Sequence, residues 1–170
     1  PNADIIYVDP SAGSNTVEFG GSSATYTTLR EAVYNTANGS EVKMLGNETF
    51  TYFRTGANNE NYYNVNPPRP MTINCDGYTL TTNTYSSSKN GIGLTGSEGV
   101  EIKNCIIRDI YRPVYAYGSG NGLFNIHNNR FLGNAERVIH FEYSSAGGNN
   151  IHHNYFDTSS TYGDVHFTGT

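Results

Sequence analysis

The most constraining feature of the sequence is a repeat of about 24 residues that runs from Gly91 to the end of the chain. Three full copies occupy residues 91–113, 114–137 and 138–163, and a fourth begins at residue 164. A period of roughly 20 to 50 residues is typical of solenoids, in which each repeat packs only against its neighbours. The repeat therefore predicts the fold more directly than it predicts the function.

Apolar residues recur at fixed places in these copies. The four apolar columns are Ile102, Ile126 and Ile151; Ile107, Phe131 and Phe156; Ile92, Tyr115, Ile139 and Val165; and Leu94, Tyr117, Phe141 and Phe167. One strand cannot bury such side chains alone, but coils stacked about 4.8 Å apart turn each column into an inner ladder. We therefore predict an all-β fold, a parallel β-solenoid, with regular coils over residues 91–170.

The N-terminal part of the chain carries the clearest helix signal. Thr28 and Glu31 form a possible capping box, and apolar residues at helical spacing follow it. We assign residues 24–39 to a region whose short helix caps the N-terminal end of the solenoid. Residues 54–70 are polar and end in prolines, which predicts a long excursion loop. The whole chain, residues 1–170, is predicted to form a single domain.

Together these features resemble the right-handed parallel β-helix superfamily, which includes pectate lyases and related polysaccharide-active proteins. The likeness covers most of the chain, including the N-terminal entry, where a strand, a short helix and the segment EVKML follow one another. It implies a right-handed β-helix with a capping helix and an open C-terminal coil. It does not imply one chemistry, because the same coil serves lyases, hydrolases, epimerases, phage tailspikes and adhesins.

A corner of the predicted coil carries a column made of Cys105, Asn129 and Asn154. We expect an internal stack there, with amides that form hydrogen bonds along the solenoid axis. Cys75 lies 30 residues before Cys105, so stacked strands could bring the two within disulfide range. The sequence leaves two alternatives: a disulfide that stabilises by about 3–4 kcal/mol, or a pair of buried free thiols.

Charge and composition exclude some classes of function. The chain has 15 acidic and 10 basic residues and a net charge of −5, which argues against a nucleic-acid partner. No apolar stretch of the sequence reaches the length of a membrane span. Scarce lysine and two glycosylation sequons, at Asn38 and Asn47, favour an extracellular or cell-surface location.

Histidines at outward-facing positions are the first candidates for chemistry. We expect one outward column to contain Gly93, Ala116, His140 and His166. Glu142 and Arg137 flank this column. A pair of histidines with a carboxylate suits general acid–base catalysis near neutral pH. The alternative is a set of ordinary surface histidines on strands. The spacing does not complete a set of metal ligands, so no metal site is assigned.

A second outward column contains Lys103, His127 and His152, and it is a candidate for binding an anionic sugar. Tyrosines, among them Tyr143, offer aromatic faces on which sugars stack. The alternatives are a solvated edge for the charged column and tyrosines that serve only as good strand formers.

The resemblance also allows a comparison with β-helix lyases. Those that cleave alginate and chondroitin carry a G-E-x-E-like stretch before a Lys base, an Arg acid, and calcium held by carboxylates. The similar stretch here is residues 133–145, where Glu136 matches one acidic position, Asn134 replaces the other and no Lys follows. The nearest approach to a pectate-lyase-like calcium site is Asp109 with Arg108 and Arg112. We therefore expect no cofactor, with calcium only for a lyase-like activity.

The last coil contains Asp164, Val165, His166 and Phe167, and no helix or polar cap follows it in the sequence. Unpaired backbone groups at such an edge favour pairing with another chain. The alternatives are a longer solenoid, or assembly of this chain into a homo-oligomer or polymer. Our first interpretation is an extracellular structural or adhesive subunit that self-assembles through this edge. The other interpretations are an enzyme acting on an acidic polysaccharide, a glycan-binding module, and part of a trimer resembling a phage tailspike.

Overall fold

The computed structural model describes residues 4–14, 16–17, 24–51, 54–55, 62–87, 89–95, 98–118, 122–142 and 148–168. Over these residues the chain is a parallel β-solenoid built from three sheets and one short helix, α1 (Leu29–Asn35). From β8 onward the chain visits the three sheets in turn, so each circuit of the solenoid adds one strand to every sheet.

The three sheets, which we call A, B and C, are described from one edge to the other. Sheet A contains β17 (Asn150–His152), β14 (Asn125–His127), β11 (Glu101–Lys103), β8 (Thr72–Asn74), β4 (Glu41–Met44), β1 (Ile5–Val8), β3 (Ala24–Tyr26) and β2 (Thr16–Val17). Sheet B contains β18 (Tyr155–Thr158), β15 (Arg130–Gly133), β12 (Ile106–Arg108), β9 (Thr79–Thr82) and β5 (Glu48–Phe50). Sheet C contains β19 (Val165–Thr168), β16 (Ile139–Glu142), β13 (Arg112–Tyr117), β10 (Lys89–Gly93), β7 (Tyr62–Val65) and β6 (Arg54–Thr55).

The interior columns of sheets A and B agree with the repeat. Ile102, Ile126 and Ile151 are partners in adjacent parallel strands, as are the residues of the column that begins at Ile107. Ile102 and Ile126 are fully buried. Fully burying one such side chain stabilises the fold by about 1.5–3 kcal/mol. Phe131 and Phe156 stack with their ring centroids 5.3 Å apart, which continues the ladder between coils.

In sheet C, the register of strand β13 differs from the prediction by one residue. Val114, and not Tyr115, pairs with Ile92 and Ile139, and Ala116, not Tyr117, pairs with Phe141. The reason is a corner of unequal length, because the chain takes seven residues from Ile107 to Val114 and eight from Phe131 to Ile139. A uniform repeat length therefore places the inner and outer residues of this strand on the wrong faces.

Two predicted boundaries also need correction. Residues 54–70 are not entirely loop, because β6 and β7 form an antiparallel pair and β7 then pairs in parallel with β10. Residues 56–61 lie outside the described residues. The stacked coils begin well before residue 91, since β4, β5 and β7 already hold the first places in the three regular stacks.

Helix α1 covers one end of the core with buried Leu29, Ala32 and Val33. Its first turn is capped by Thr28, whose hydroxyl oxygen accepts the Glu31 N–H at 3.2 Å. The expected capping box differs in detail, because the Glu31 carboxylate accepts from the Thr28 hydroxyl at 3.1 Å. A further carboxylate, that of Glu48 on β5, accepts the N–H of Leu29 at 2.8 Å.

The corner between sheets A and B carries a continuous ladder of contacts between coils. Cys75 and Cys105 are joined by a disulfide with an S–S distance of 2.02 Å. Asn129 Oδ1 accepts the Cys105 N–H at 2.9 Å, and Asn154 Oδ1 accepts the Asn129 N–H at 3.0 Å. The disulfide thus occupies the place that the amide stack holds in later coils.

The length of this corner varies from coil to coil. Ile106 follows Lys103 by three positions. In the preceding coil, Thr79 follows Asn74 by five positions, and these two residues are the strand partners of Ile106 and Lys103. Asp76 and Gly77, which lie within the longer corner, adopt φ angles of 52° and 87°. The strands on either side of the longer corner keep the same register as in later coils.

Candidate functional site on the outer face of sheet C

The register of sheet C places Tyr115, His140 and His166 in one outward-facing column. The predicted column contained Ala116 where the structure has Tyr115, and Ala116 is instead 2 % exposed and lies in the core. The one-residue difference matters for function, because it brings a phenol against the two histidines.

His140 is not a surface histidine, which corrects the sequence-based expectation. Its side chain is 2 % exposed and stacks on Tyr115, with ring centroids 5.0 Å apart and planes 16° apart. Its Nε2 lies 2.9 Å from the Thr168 hydroxyl oxygen, and its buried Nδ1 has no hydrogen-bond partner among the described residues. Burial, followed by the positive charges of Arg112 and Arg137, lowers the pKa of His140 to about 3. His140 is therefore neutral near pH 7 and is suited to positioning its neighbours.

The buried His140 predicts acid-sensitive folding. An unfolded chain protonates this histidine below pH 6.5, whereas the folded chain resists protonation down to about pH 3. Stability from this residue is therefore complete above pH 6.5 and is lost as the pH falls towards 3. We expect His140→Phe, which keeps a ring against Tyr115, to flatten the dependence of the unfolding free energy on pH between 6.5 and 3.

The measurement is the free energy of unfolding from urea titrations at several pH values, taken as the difference between the variant and the parent. The difference is needed because Glu48, whose pKa burial raises to about 7, stabilises the fold as the pH falls from 7 to 4.5. His166→Phe is the matched control, since His166 is only half-buried. Parallel pH profiles for His140→Phe and the parent would contradict the prediction.

Glu142 completes the outer column at the edge of β16. The Tyr115 hydroxyl donates a hydrogen bond to Glu142 Oε2, and Glu142 itself is half-buried. The Arg112 guanidinium lies 4.7 Å from the centroid of the Tyr115 ring, close enough for a cation–π interaction. A carboxylate that reaches solvent is thereby fixed by a buried phenol.

Two arginines share one carboxylate at the start of β13 and β16. Arg112 Nε and the Arg137 guanidinium lie 2.7 Å and 2.8 Å from the same atom, Glu136 Oε2. Burial raises the pKa of Glu136, but hydrogen bonds from Tyr111 and Arg112 and the charges of both arginines outweigh it, so the net pKa is lowered. The triad of two arginines and one glutamate carries a net charge of +1.

Tyrosines surround this triad. Arg137 lies 4.2 Å from the centroid of the Tyr162 ring, and Arg112 lies 5.1 Å from that of Tyr111. Tyr85 packs edge-on against Tyr111 at 6.0 Å. Tyr162 and Tyr85 are 54 % and 47 % exposed, so their faces are open to a ligand. Aromatic and cationic groups side by side are typical of surfaces that bind charged sugars.

The structure thus brings the predicted residues His140, His166, Glu142 and Arg137 to one face. Sequence reasoning did not include Tyr115 and Arg112 in this site. The signal for Tyr115 was the shorter corner before β13. No sequence signal pointed to Arg112, whose contact with Glu136 joins residues 24 positions apart.

The second predicted column is also side by side in the structure. Lys103, His127 and His152 are partners in adjacent strands, and the two imidazoles stack 4.9 Å apart. However, Glu101 binds Lys103 Nζ at 3.1 Å and His127 Nε2 at 2.8 Å. Burial raises the pKa of Glu101, but these hydrogen bonds and that of Thr72 lower it to about 2. The column therefore carries its own counter-ion, which weakens it as an anion site.

Other predicted positions can be located or set aside. Tyr143 lies outside the described residues. Asn38 and Asn47 are both exposed, and Asn47 Oδ1 accepts the Thr79 N–H at 2.8 Å. Glycosylation of either asparagine stays a prediction.

The carboxylates that a lyase-like calcium site would use do not fit that ion. Asp109 Oδ1 accepts the Asn134 N–H at 3.0 Å, and Asp109 Oδ2 binds Arg108 Nε at 3.1 Å. Glu136 is held by two arginines. Calcium prefers six to eight oxygen ligands. Within the described residues, no group of three or more His, Cys, Asp or Glu side chains is placed to hold a metal ion.

The parallel stacks, the inner ladders and the corner amides together define a β-solenoid protein. Over residues 6–170 the chain matches the family model described as right handed beta helix region, and it belongs to that family. No curated protein and no solved structure gave a significant match. The helical segment that the structure describes is too short and too polar to cross a membrane.

Proposed function

We propose that the outer face of sheet C binds an acidic polysaccharide and cleaves it. The observation that carries this proposal is the continuous set of contacts from Glu136 through Arg112 and Tyr115 to Glu142. A net positive triad and a solvent-reaching carboxylate thus lie on one face and are joined through the Tyr115 side chain. These are the two kinds of group that proton abstraction beside a sugar carboxylate requires.

The binding part of the proposal rests on charge and aromatic surface. The arginines share only one carboxylate between them, so one positive charge remains for the carboxylate of a sugar. One face of the Tyr162 ring packs on the Arg137 guanidinium, and the residue is 54 % exposed, so its other face offers a stacking surface for a sugar ring. This arrangement favours a glycan whose residues carry carboxylates over a neutral one.

The chemical part of the proposal rests on Glu142 and His166, since both are half-buried and reach the surface. Glu142 acts as the proton acceptor, oriented by the Tyr115 hydroxyl. His166 lies 5.4 Å from His140 between ring centroids and serves as the proton donor to the leaving group. Buried Tyr115 and His140 touch these groups rather than the substrate, so they act as positioning residues.

The test is incubation with alginate, pectate and chondroitin sulfate, alongside neutral polysaccharides. Ultraviolet absorbance of the unsaturated product detects elimination, and new reducing ends detect hydrolysis. We expect Glu142→Gln, which keeps an acceptor for Tyr115, to lower the rate by roughly 100-fold or more while binding persists. Arg137→Gln should weaken binding to acidic glycans.

Two variants on sheet B serve as matched controls. Asp157→Asn removes an exposed carboxylate, and Arg108→Gln removes an arginine whose side chain is 52 % exposed. Neither is expected to alter the rate or the binding. Binding without any cleavage would reduce the proposal to a glycan-binding module. No binding to any acidic glycan would refute it.

A second candidate function is self-association through the last described coil. Val165 and Phe167 are 39 % and 50 % exposed, although their partners Ile139 and Phe141 in the same inner columns are almost fully buried. Contact between copies of the chain would cover these residues, giving a filament or another homo-oligomer. Light scattering over a wide concentration range tests the idea. A monomer throughout, for the parent and for Phe167→Ser alike, would exclude it.

An extracellular or cell-surface location is part of the same proposal. It is supported by the Cys75–Cys105 disulfide, because disulfides persist mainly in oxidising compartments. A structural or adhesive role stays compatible with binding of surface polysaccharides.

A further inference from the structure

A second concave site lies between helix α1 and strand β5, with Asn64 of β7 also in its wall. It is a cavity of about 360 Å³, which is at the lower end of the range for small-molecule sites, roughly 300–1,000 Å³. We propose that this cavity binds a neutral sugar of one or two rings through Glu48. The proposal is independent of the function assigned to sheet C.

Glu48 is the centre of the argument because it is a buried carboxyl group with no ion pair to a cation in the part of the chain that the structure describes. The residue is 6 % exposed, and its Oε2 accepts the N–H of Leu29. Its Oε1 accepts no hydrogen bond from the residues that the structure describes, yet Glu48 lines the cavity. Because Glu48 lines the cavity, this oxygen can accept hydrogen bonds from a ligand there. Two hydroxyl groups of a sugar would supply them.

The remaining wall matches a polyhydroxylated ligand. Thr27, Thr28, Thr49 and Thr51 line the cavity. The hydroxyls of Thr27 and Thr28 already donate to the Glu31 carboxylate at 3.1 Å each, so Thr49 and Thr51 are the threonines expected to donate to a ligand and accept from it. Thr49 and Thr51 are exposed at the rim, so a ligand reaches the cavity from solvent. Pro10 adds an apolar patch against which the carbon face of a sugar ring would rest.

The charges around the cavity decide which sugar fits. Glu31 is close enough to Glu48 to raise its pKa by charge repulsion, although burial is the larger cause. The Arg30 guanidinium donates to the Asn64 carbonyl oxygen at 2.9 Å. Two carboxyl groups beside one guanidinium disfavour a further carboxylate. A neutral hexose is therefore expected to bind, and a hexuronate is not.

The experiment measures binding to the complete chain by saturation-transfer NMR and by thermal shift. The probes are glucose, galactose, mannose, maltose, glucuronate and calcium chloride. We expect at least one neutral sugar to bind and to raise the melting temperature, with glucuronate and calcium inert. Glu48→Ala should weaken the binding roughly tenfold or more, because hydrogen bonds to a charged group are lost.

Affinity should also rise as the pH increases through about 7, where Glu48 loses its proton and becomes a full acceptor. Glu98→Gln, an exposed change elsewhere, is the matched control. If Glu48→Ala does not fold, Thr49→Val and Thr51→Val at the exposed rim take its place. No sugar bound, equal binding by glucuronate, or stabilisation by calcium would each overturn the proposal. Arg137→Gln leaves this binding intact, which separates it from the site on sheet C.

Discussion

Replacing Asn129 by alanine is expected to lower the free energy of unfolding by roughly 4 kcal/mol. Asn129 is 1 % exposed, and its side chain bridges two coils. Its Oδ1 accepts the Cys105 N–H and its Nδ2 donates to the Ile102 carbonyl oxygen, both at 2.9 Å. Alanine leaves these two buried backbone groups without partners, at a cost of about 1–3 kcal/mol each.

The neighbouring residue provides the control for this prediction. Asn128 is exposed and has a φ angle of 56°, a conformation that glycine adopts easily. Asn128→Gly is therefore expected to change stability by less than about 1 kcal/mol. Chemical unfolding followed by far-ultraviolet circular dichroism measures both variants. Equal stability of the two would show that the corner amide does not hold the coils together.

Removal of the disulfide is expected to cost about 3–4 kcal/mol. Cys75 and Cys105 are 30 residues apart, and the cross-link restricts the unfolded chain over that loop. Both residues are almost fully buried, so alanine is the appropriate replacement, since serine would bury a hydroxyl. The double variant Cys75→Ala with Cys105→Ala should unfold at a lower urea concentration than the parent.

Reduction offers an independent control for the disulfide. The parent unfolded and refolded in a reducing agent should match the double variant, and the variant itself should not respond to the reagent. An unchanged midpoint for the double variant would mean that the bridge adds nothing to stability. The Asn129 and cysteine effects are not expected to add, because Asn129 accepts the backbone N–H of Cys105.

The interior of sheets A and B could be predicted from residue 101 onward because the corner between these sheets keeps one length there, three positions in each coil. Ile102, Ile126 and Ile151 recur at the spacing of one coil, and each is an aliphatic residue on a period-two strand. Sheet C could not be predicted in the same way. The corner before Val114 is one residue short, and one residue exchanges the two faces of a strand.

The candidate site was only partly predictable for a related reason. His140 was placed correctly on the outer face, but its burial depends on side chains from other coils that pack around it. The pairing of Arg112 with Glu136 joins residues 24 positions apart. A sequence pattern gives the column in which a residue lies, but it does not give the directions of long side chains at corners.

The two extra residues at the corner that contains Asp76 and Gly77 have a practical consequence. Neighbouring strands tolerate them without a change of register, and Gly77 in this corner still donates its N–H to the Asn104 carbonyl oxygen of the next coil at 2.8 Å. That corner is accordingly the place where a foreign peptide, such as an epitope or an affinity tag, can be grafted and displayed while the scaffold keeps its shape.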